Sequence, residues 1–207
     1  MTVAHDMHSG KVDEFVKRIK ESEEKNLRGI MDKFIKDYGS HKEFIDFAGS
    51  ASAALAREYR HFESRGETIW NRTKVFSRAL SEMTLALGES NEALRKEIEK
   101  TGGTVKRETD KRSFEEFSEQ ILTKNLIKAD KAILKIRRGA YKPEDIKNMM
   151  DMVVKEYDWA PFGGKAEKVL EDRIRTINAM LAAEYQDLKN SLERGKRKGE
   201  FSNLKAG

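Results

Sequence analysis

Between His41 and Lys100 an apolar or small residue returns every seven positions. Ala48, Leu55, Phe62, Ile69, Phe76 and Met83 form one ladder. Tyr59, Gly66, Thr73, Leu80, Leu87 and Leu94 form a second, four residues ahead of the first. A seam with a period near 3.5 residues is the mark of a helix packed along its length against neighbours. No proline interrupts the run. As one unbroken helix, 41–100 would extend roughly 90 Å at 1.5 Å per residue. Gly49, Gly66 and Gly88 lie inside it, so a bend or break near Gly66 or Gly88 is the alternative.

The same reading divides the rest of the chain. Residues 1–10 are polar and read as a flexible leader. An N-terminal amphipathic helix is predicted over 11–38, with Val12, Phe15, Val16, Ile19, Leu27, Ile30, Met31, Phe34 and Tyr38 on its apolar side. The charged stretch Lys20–Asn26 interrupts it. Gly39 and Ser40 supply a helix stop and a new cap. Thr101–Thr104, with two glycines, is the clearest turn. A helix is predicted from Val105 to Arg138, then another from Pro143 to about Trp159, where Pro143 suits a first helical position and Glu144 and Asp145 complement the helix dipole. Ala160–Gly164 turns the chain again. A last helix is predicted over 165–194, and a basic disordered tail over 196–207. Residues 41–195 thus form an all-α, elongated antiparallel helical bundle of long helices, with the N-terminal helix packed beside it or projecting.

Composition narrows the function classes. The 207 residues are 37% charged and 38% hydrophobic, which suits thin helices that each bury a stripe. There is no cysteine, so disulfides, thiolate metal sites and cysteine nucleophiles are excluded. No stretch approaches the ~18 consecutive apolar residues of a membrane span. The first ten residues lack the apolar core of a secretory signal. A soluble, cytoplasmic protein follows, free to associate peripherally with a membrane.

Candidate chemistry is sparse. Glu58 and His61 have the Glu-x-x-His spacing of carboxylate-bridged di-metal bundles, but such sites need two of these pairs. His5, His8 and His41 have no glutamate three residues before them. No phosphate-binding glycine loop with its lysine is present. All four histidines fall within the first 61 residues, so no serine–histidine–acid arrangement is apparent. A non-enzymatic structural or interaction protein with no metal and no cofactor is the expectation.

The most suggestive feature is a basic stripe. Lys124, Lys128, Lys131, Lys135, Arg138 and Lys142 are spaced 4, 3, 4, 3, 4, which is one helical face. The apolar set Leu122, Leu126, Ala129, Ile133 and Ile136 lies opposite. Asp130 is the one acid between Gln120 and Tyr141. A second cluster, Arg194, Lys196, Arg197 and Lys198, begins the tail; a third, Lys106, Arg107, Lys111 and Arg112, is diluted by Glu108 and Asp110. These cations are candidates for anionic lipid or nucleic-acid binding, against the alternative of a solvated face paired to acids elsewhere. No aromatic residue lies between Gln120 and Gly139, which disfavours single-stranded nucleic acid.

Phe76-Ser-Arg-Ala-Leu80, Leu85-Ala-Leu-Gly-Glu89, and then Leu94, Ile98 and Gly102 resemble the first long helix of BAR domains of the sorting-nexin and arfaptin type. The element order over 41–195, including the Leu181–Tyr185 stretch, is similar to theirs. The resemblance implies a crescent-shaped antiparallel homodimer on an anionic membrane surface. Lys124, Lys128, Lys131, Lys135 and Arg138 would line its concave side, and Lys106, Arg107, Lys111 and Arg112 a tip. It also leaves the N-terminal helix two roles: packing on the bundle, or a membrane wedge. Two other readings stand beside the membrane scaffold. One is a self-assembling viral or filament subunit that contacts nucleic acid, for which Ile45, Phe47, Trp70, Val75 and Met152, apolar but off the seam, would supply contacts. The other is an adaptor for partner helices.

Overall fold

A computed structural model describes the backbone of residues 2–63, 70–105, 128–139, 141–158, 160 and 163–204, and the side chains within 10–61, 73–105, 129–139, 141–158, 160 and 163–196. Among the described residues the structure is all-α. Its elements are α1 (Thr2–Glu21), a 3-10 turn (Glu24–Asn26), α2 (Leu27–Tyr38), α3 (Phe44–Glu63), α4 (Trp70–Lys100), α5 (Lys128–Arg137), α6 (Pro143–Asp158) and α7 (Lys165–Leu204).

The run 41–100 is two helices. Ser52 Oγ of α3 lies 3.4 Å from Met83 Sδ of α4, so the chain reverses between Glu63 and Trp70. Gly66 lies outside the described residues, and at Gly88, the other expected break, α4 is continuous. Both arms keep their apolar stripes: Ala48, Leu55 and Tyr59 on α3 and Phe76, Leu80, Met83 and Leu87 on α4 are all buried. A heptad pattern reports which face of a helix is covered, and both arms face one core.

α3, α4, α6 and α7 form an up-down-up-down bundle. Gly88 of α4 packs against Pro143, and Ser81 donates a hydrogen bond to Asp151 at the middle of α6. α6 runs antiparallel to α7, with Tyr141 at Glu184 and Tyr157 near Glu167 and Glu171. α7 returns along α3, from Arg57–Glu171 at one end to Phe44–Tyr185 at the other. α4 and α7 also touch directly, through Thr84 Oγ1 and Asn178 Oδ1 at 3.0 Å. With 40 residues, α7 is roughly 60 Å long and sets the long dimension.

The N-terminal segment packs on the bundle. Phe15 of α1, Phe34 of α2 and Phe47 of α3 meet with ring centroids 4.8–6.4 Å apart. Val12, Phe15 and Ile19 are buried, so the apolar side that a membrane wedge would insert is occupied by the bundle. The predicted helix 11–38 is split where Ser22 Oγ donates to Ile19 O at 2.8 Å. That local bond competes with the next helical turn. The other bounds differ as well. Helical backbone begins at Thr2, where the sequence suggests a leader to Gly10, and continues to Leu204, where it suggests a disordered tail. Neither stretch contains proline, and a helix already anchored by burial extends at little cost. Of the helix predicted from Val105 to Arg138, residues 106–127 lie outside the described residues, and Lys128–Arg137 is helical.

The turn after α4 closes as expected. Gly103 N–H donates to Ile98 O at 2.9 Å and Gly102 N–H to Glu99 O at 3.1 Å. This double bond pattern needs a left-handed residue at Gly102, which has φ +78°. Ile98 and Val105 then join Leu188 and Leu192 in a small apolar cluster beyond the main core.

Candidate anion-binding face

α5 forms because Ala129, Ala132, Ile133 and Ile136 make one apolar face that fits against α6 and α7; all four are buried. Asp130 sits in its first turn, where an acid is favoured, and Gly139, at φ +62°, ends it. The face away from these residues carries the cations. Lys131, Lys135 and Arg138 are half-buried, and Lys142, just before α6, is exposed. The stripe is therefore not an open line of charge. α5 lies against both α6 and α7. Lys128 opens the helix with its side chain outside the described set, and Lys124 lies outside the described residues. So do Lys106, Arg107, Lys111 and Arg112.

From Lys128 to Lys142 the sequence has six cations and one acid, a local excess equal to the net charge of +5 carried by the whole chain. Tertiary structure occupies that acid. Arg173 Nε of α7 lies 2.8 Å from Asp130 Oδ1, so Asp130 answers a cation from another helix. Sequence reading could not find Arg173, which is far away along the chain.

The tail cluster is separate. Arg194 and Lys196 are exposed on α7, and Lys196 Nζ donates to Glu97 of α4 at 2.9 Å. Arg197 and Lys198 continue the helix with side chains outside the described set. Lys196 follows Arg173 by 23 residues on one helix, or about 35 Å. The two clusters thus belong to different parts of the bundle.

Two buried cations escaped the sequence pattern. Arg95 of α4 is 1% exposed; its Nη2 donates to Glu184, its Nη1 is 3.6 Å from Glu92, and its guanidinium lies 4.9 Å over the Tyr141 ring. Asn91 Nδ2 donates to Tyr141 Oη at 3.1 Å and to Leu181 O at 3.0 Å, and Tyr141 Oη donates to Glu184 at 2.6 Å. Burial pulls the Arg95 pKa down, but Glu184, Tyr141 and Glu92 outweigh it and the net shift is upward. Burial first, then Glu184, pushes the Tyr141 phenol far up. At the other end Arg60 donates to Asp158 O at 2.9 Å and to Ala160 O, with its guanidinium 5.4 Å over the Tyr157 ring. It satisfies carbonyls at the end of α6, where a cation also opposes the helix dipole. These groups tie helices together. Apart from Glu92, which lies one turn from Arg95 on α4, their polar partners come from distant parts of the chain, which no spacing rule in one segment exposes.

Glu58 is half-buried and His61 exposed. Among the described residues no three metal-ligating side chains stand together. Also among them, no helix is long and apolar enough to cross a membrane. Phe47 and Val75 are buried and Met152 packs against the core, so these off-seam residues are covered within one chain. Ile45 is half-buried, and the Trp70 side chain lies outside the described set.

No protein-family model, curated protein or solved structure matches the chain.

Proposed function

We propose that this protein is a non-enzymatic helical scaffold that self-associates and docks peripherally on an anionic membrane surface. The docking cations are Lys124, Lys128, Lys131, Lys135, Arg138 and Lys142, with Arg194, Lys196, Arg197 and Lys198 as a second contact. The observation that carries the reading is the charge excess between Lys128 and Lys142, whose one acid is engaged by Arg173. Each cation near an anionic leaflet contributes about 1 kcal/mol, so a handful gives reversible, salt-sensitive binding. Val169 is the one large apolar side chain exposed among the described residues, which favours adhesion by charge over insertion. The BAR-like pattern points the same way, toward a dimer with cations on one face.

Co-sedimentation with anionic and neutral vesicles, at low and high salt and with duplex DNA as competitor, tests it. Binding to anionic vesicles that salt weakens and DNA displaces poorly is the expected result. Charge reversal at Lys128, Lys131 and Lys135 should weaken it about 100-fold or more with helicity unchanged. Absence of vesicle binding, or ready displacement by DNA, overturns the membrane reading and favours a subunit that packs along nucleic acid.

A further inference from the structure

A groove of about 660 Å³ runs along α3 between α1 and α7. Its floor is the small-residue face Ser50, Ala53 and Ala54. These side chains are too short to fill the space between the flanking helices. Helices approach closely only over such residues, as α7 does beside the groove, where a Cβ on Gly49 would meet Ala179 Cβ at 3.3 Å.

The charges lining this groove balance. Arg57, Lys168 and Arg175 are matched in number by Asp13, Glu171 and Asp172. The balance decides the kind of partner. A strongly acidic or strongly basic molecule gains nothing from a neutral face. Two copies of a chain with net charge +5 repel overall, and approach best where neither presents a net charge. The α5 face, which carries the excess, is the wrong surface for that; this groove is the right one. α5 contacts the side of α7 that bears Arg173, turned roughly 150° from the groove side at 3.6 residues per turn. Both faces are therefore usable at once.

We propose that the groove receives α7 of a second copy in an antiparallel, two-fold pairing. The proposal rests on the self-association in the preceding section, and gives it a surface; it is independent of the membrane. A two-fold interface is self-complementary, so a residue and its partner exchange roles between copies. An axis crossing α7 between Arg173 and Ile174 sets Asp172 of each copy opposite Arg175 of the other. Asp172 is 65% exposed, and Arg175 is also exposed. Neither side chain belongs to the buried core. Val169, 45% exposed, is one turn from Asp172 and lies at the edge of the pairing.

Sedimentation velocity on the full chain at rising concentration reads the outcome. The expected species is a dimer of 23.8 kDa chains. Asp172→Arg and Arg175→Glu should each give monomers, because each sets like charges against one another twice. The double variant D172R/R175E restores opposite signs and should restore the dimer, with circular dichroism unchanged throughout. A monomer at every concentration, a dimer that the single changes leave intact, or a double variant that stays monomeric overturns the pairing. Vesicle binding is scored separately on the same proteins. A dimer lost and regained by these changes that ignores anionic vesicles keeps the groove and removes the membrane reading. A monomeric parent chain that binds vesicles does the reverse.

Discussion

Buried Arg95 and half-buried Glu184 form an ion pair that joins α4 to α7, and the same Glu184 accepts the Tyr141 hydroxyl at 2.6 Å. One carboxylate therefore serves a cation and a phenol from different parts of the chain. Removing Glu184 leaves the buried Arg95 with Glu92, at 3.6 Å, in place of two carboxylates. Glu184→Ala should cost about 3–5 kcal/mol in urea unfolding. Replacing both partners by apolar side chains, as in R95M/E184M, leaves no uncompensated charge and strands only the Tyr141 hydroxyl, so it should cost less than the single change, about 1–3 kcal/mol. Equal losses in the single and double variants would show that the pair is no unit.

The spacing of α3 and α7 gives a second prediction. A Cβ at Gly49 would stand 3.2 Å from Arg175 Cγ and 3.4 Å from Arg175 O. Gly49→Leu cannot be seated without moving α7, and should destabilise by about 1–3 kcal/mol through overpacking. Gly195, with open space around it, tolerates alanine. Thermal unfolding of the two variants side by side checks the contrast.

Glu171 supplies a pH dependence. Burial raises its pKa, the neighbouring Glu167 and Asp172 add to the shift, and Arg57 opposes it. A carboxyl with a raised folded-state pKa holds its proton more tightly folded than unfolded. Its contribution to stability is therefore present below the ordinary glutamate range and is lost as pH rises through the folded value. Glu171→Gln removes that slope. The melting temperature of the variant should fall less than that of the parent between mildly acidic and neutral pH.

The tyrosines act at the other end of the scale. Tyr141, Tyr157 and Tyr185 are all shifted upward, with burial as the largest cause. Unfolded, each ionises near pH 10. Folding thus holds their protons, and stability falls as pH rises above that value. Spectrophotometric titration should show late phenolate formation that coincides with loss of helicity. Early, reversible ionisation of all the tyrosines in folded protein would contradict their burial.

Much of the helical layout was legible because burial on a helix leaves a repeating mark. Ile146, Met149, Met150, Val153, Val154 and Tyr157 read as one stripe and are buried together, as are Leu170, Ile174, Ile177 and Leu181. The Gly102–Gly103 turn was equally plain, since a left-handed backbone position favours glycine. The candidate site was legible only as charge: the excess around α5 follows from composition, while the half-burial of Lys131 and Lys135 depends on two helices beneath them. The polar layers were not legible. Asn91, Arg95 and Asn178 resemble surface residues in any window of sequence.

The amino-acid sequence by itself determined that the chain is helical, which faces of its helices are apolar, and where its positive charge collects. These depend on local periodicity and residue type. Tertiary structure alone decided that the 41–100 ladder folds back on itself, because a heptad repeat carries no information about continuity. It also decided that Asp130 meets Arg173 and that Arg95 meets Glu184. Those pairings depend on which helices become neighbours, and that is set by packing of the whole core.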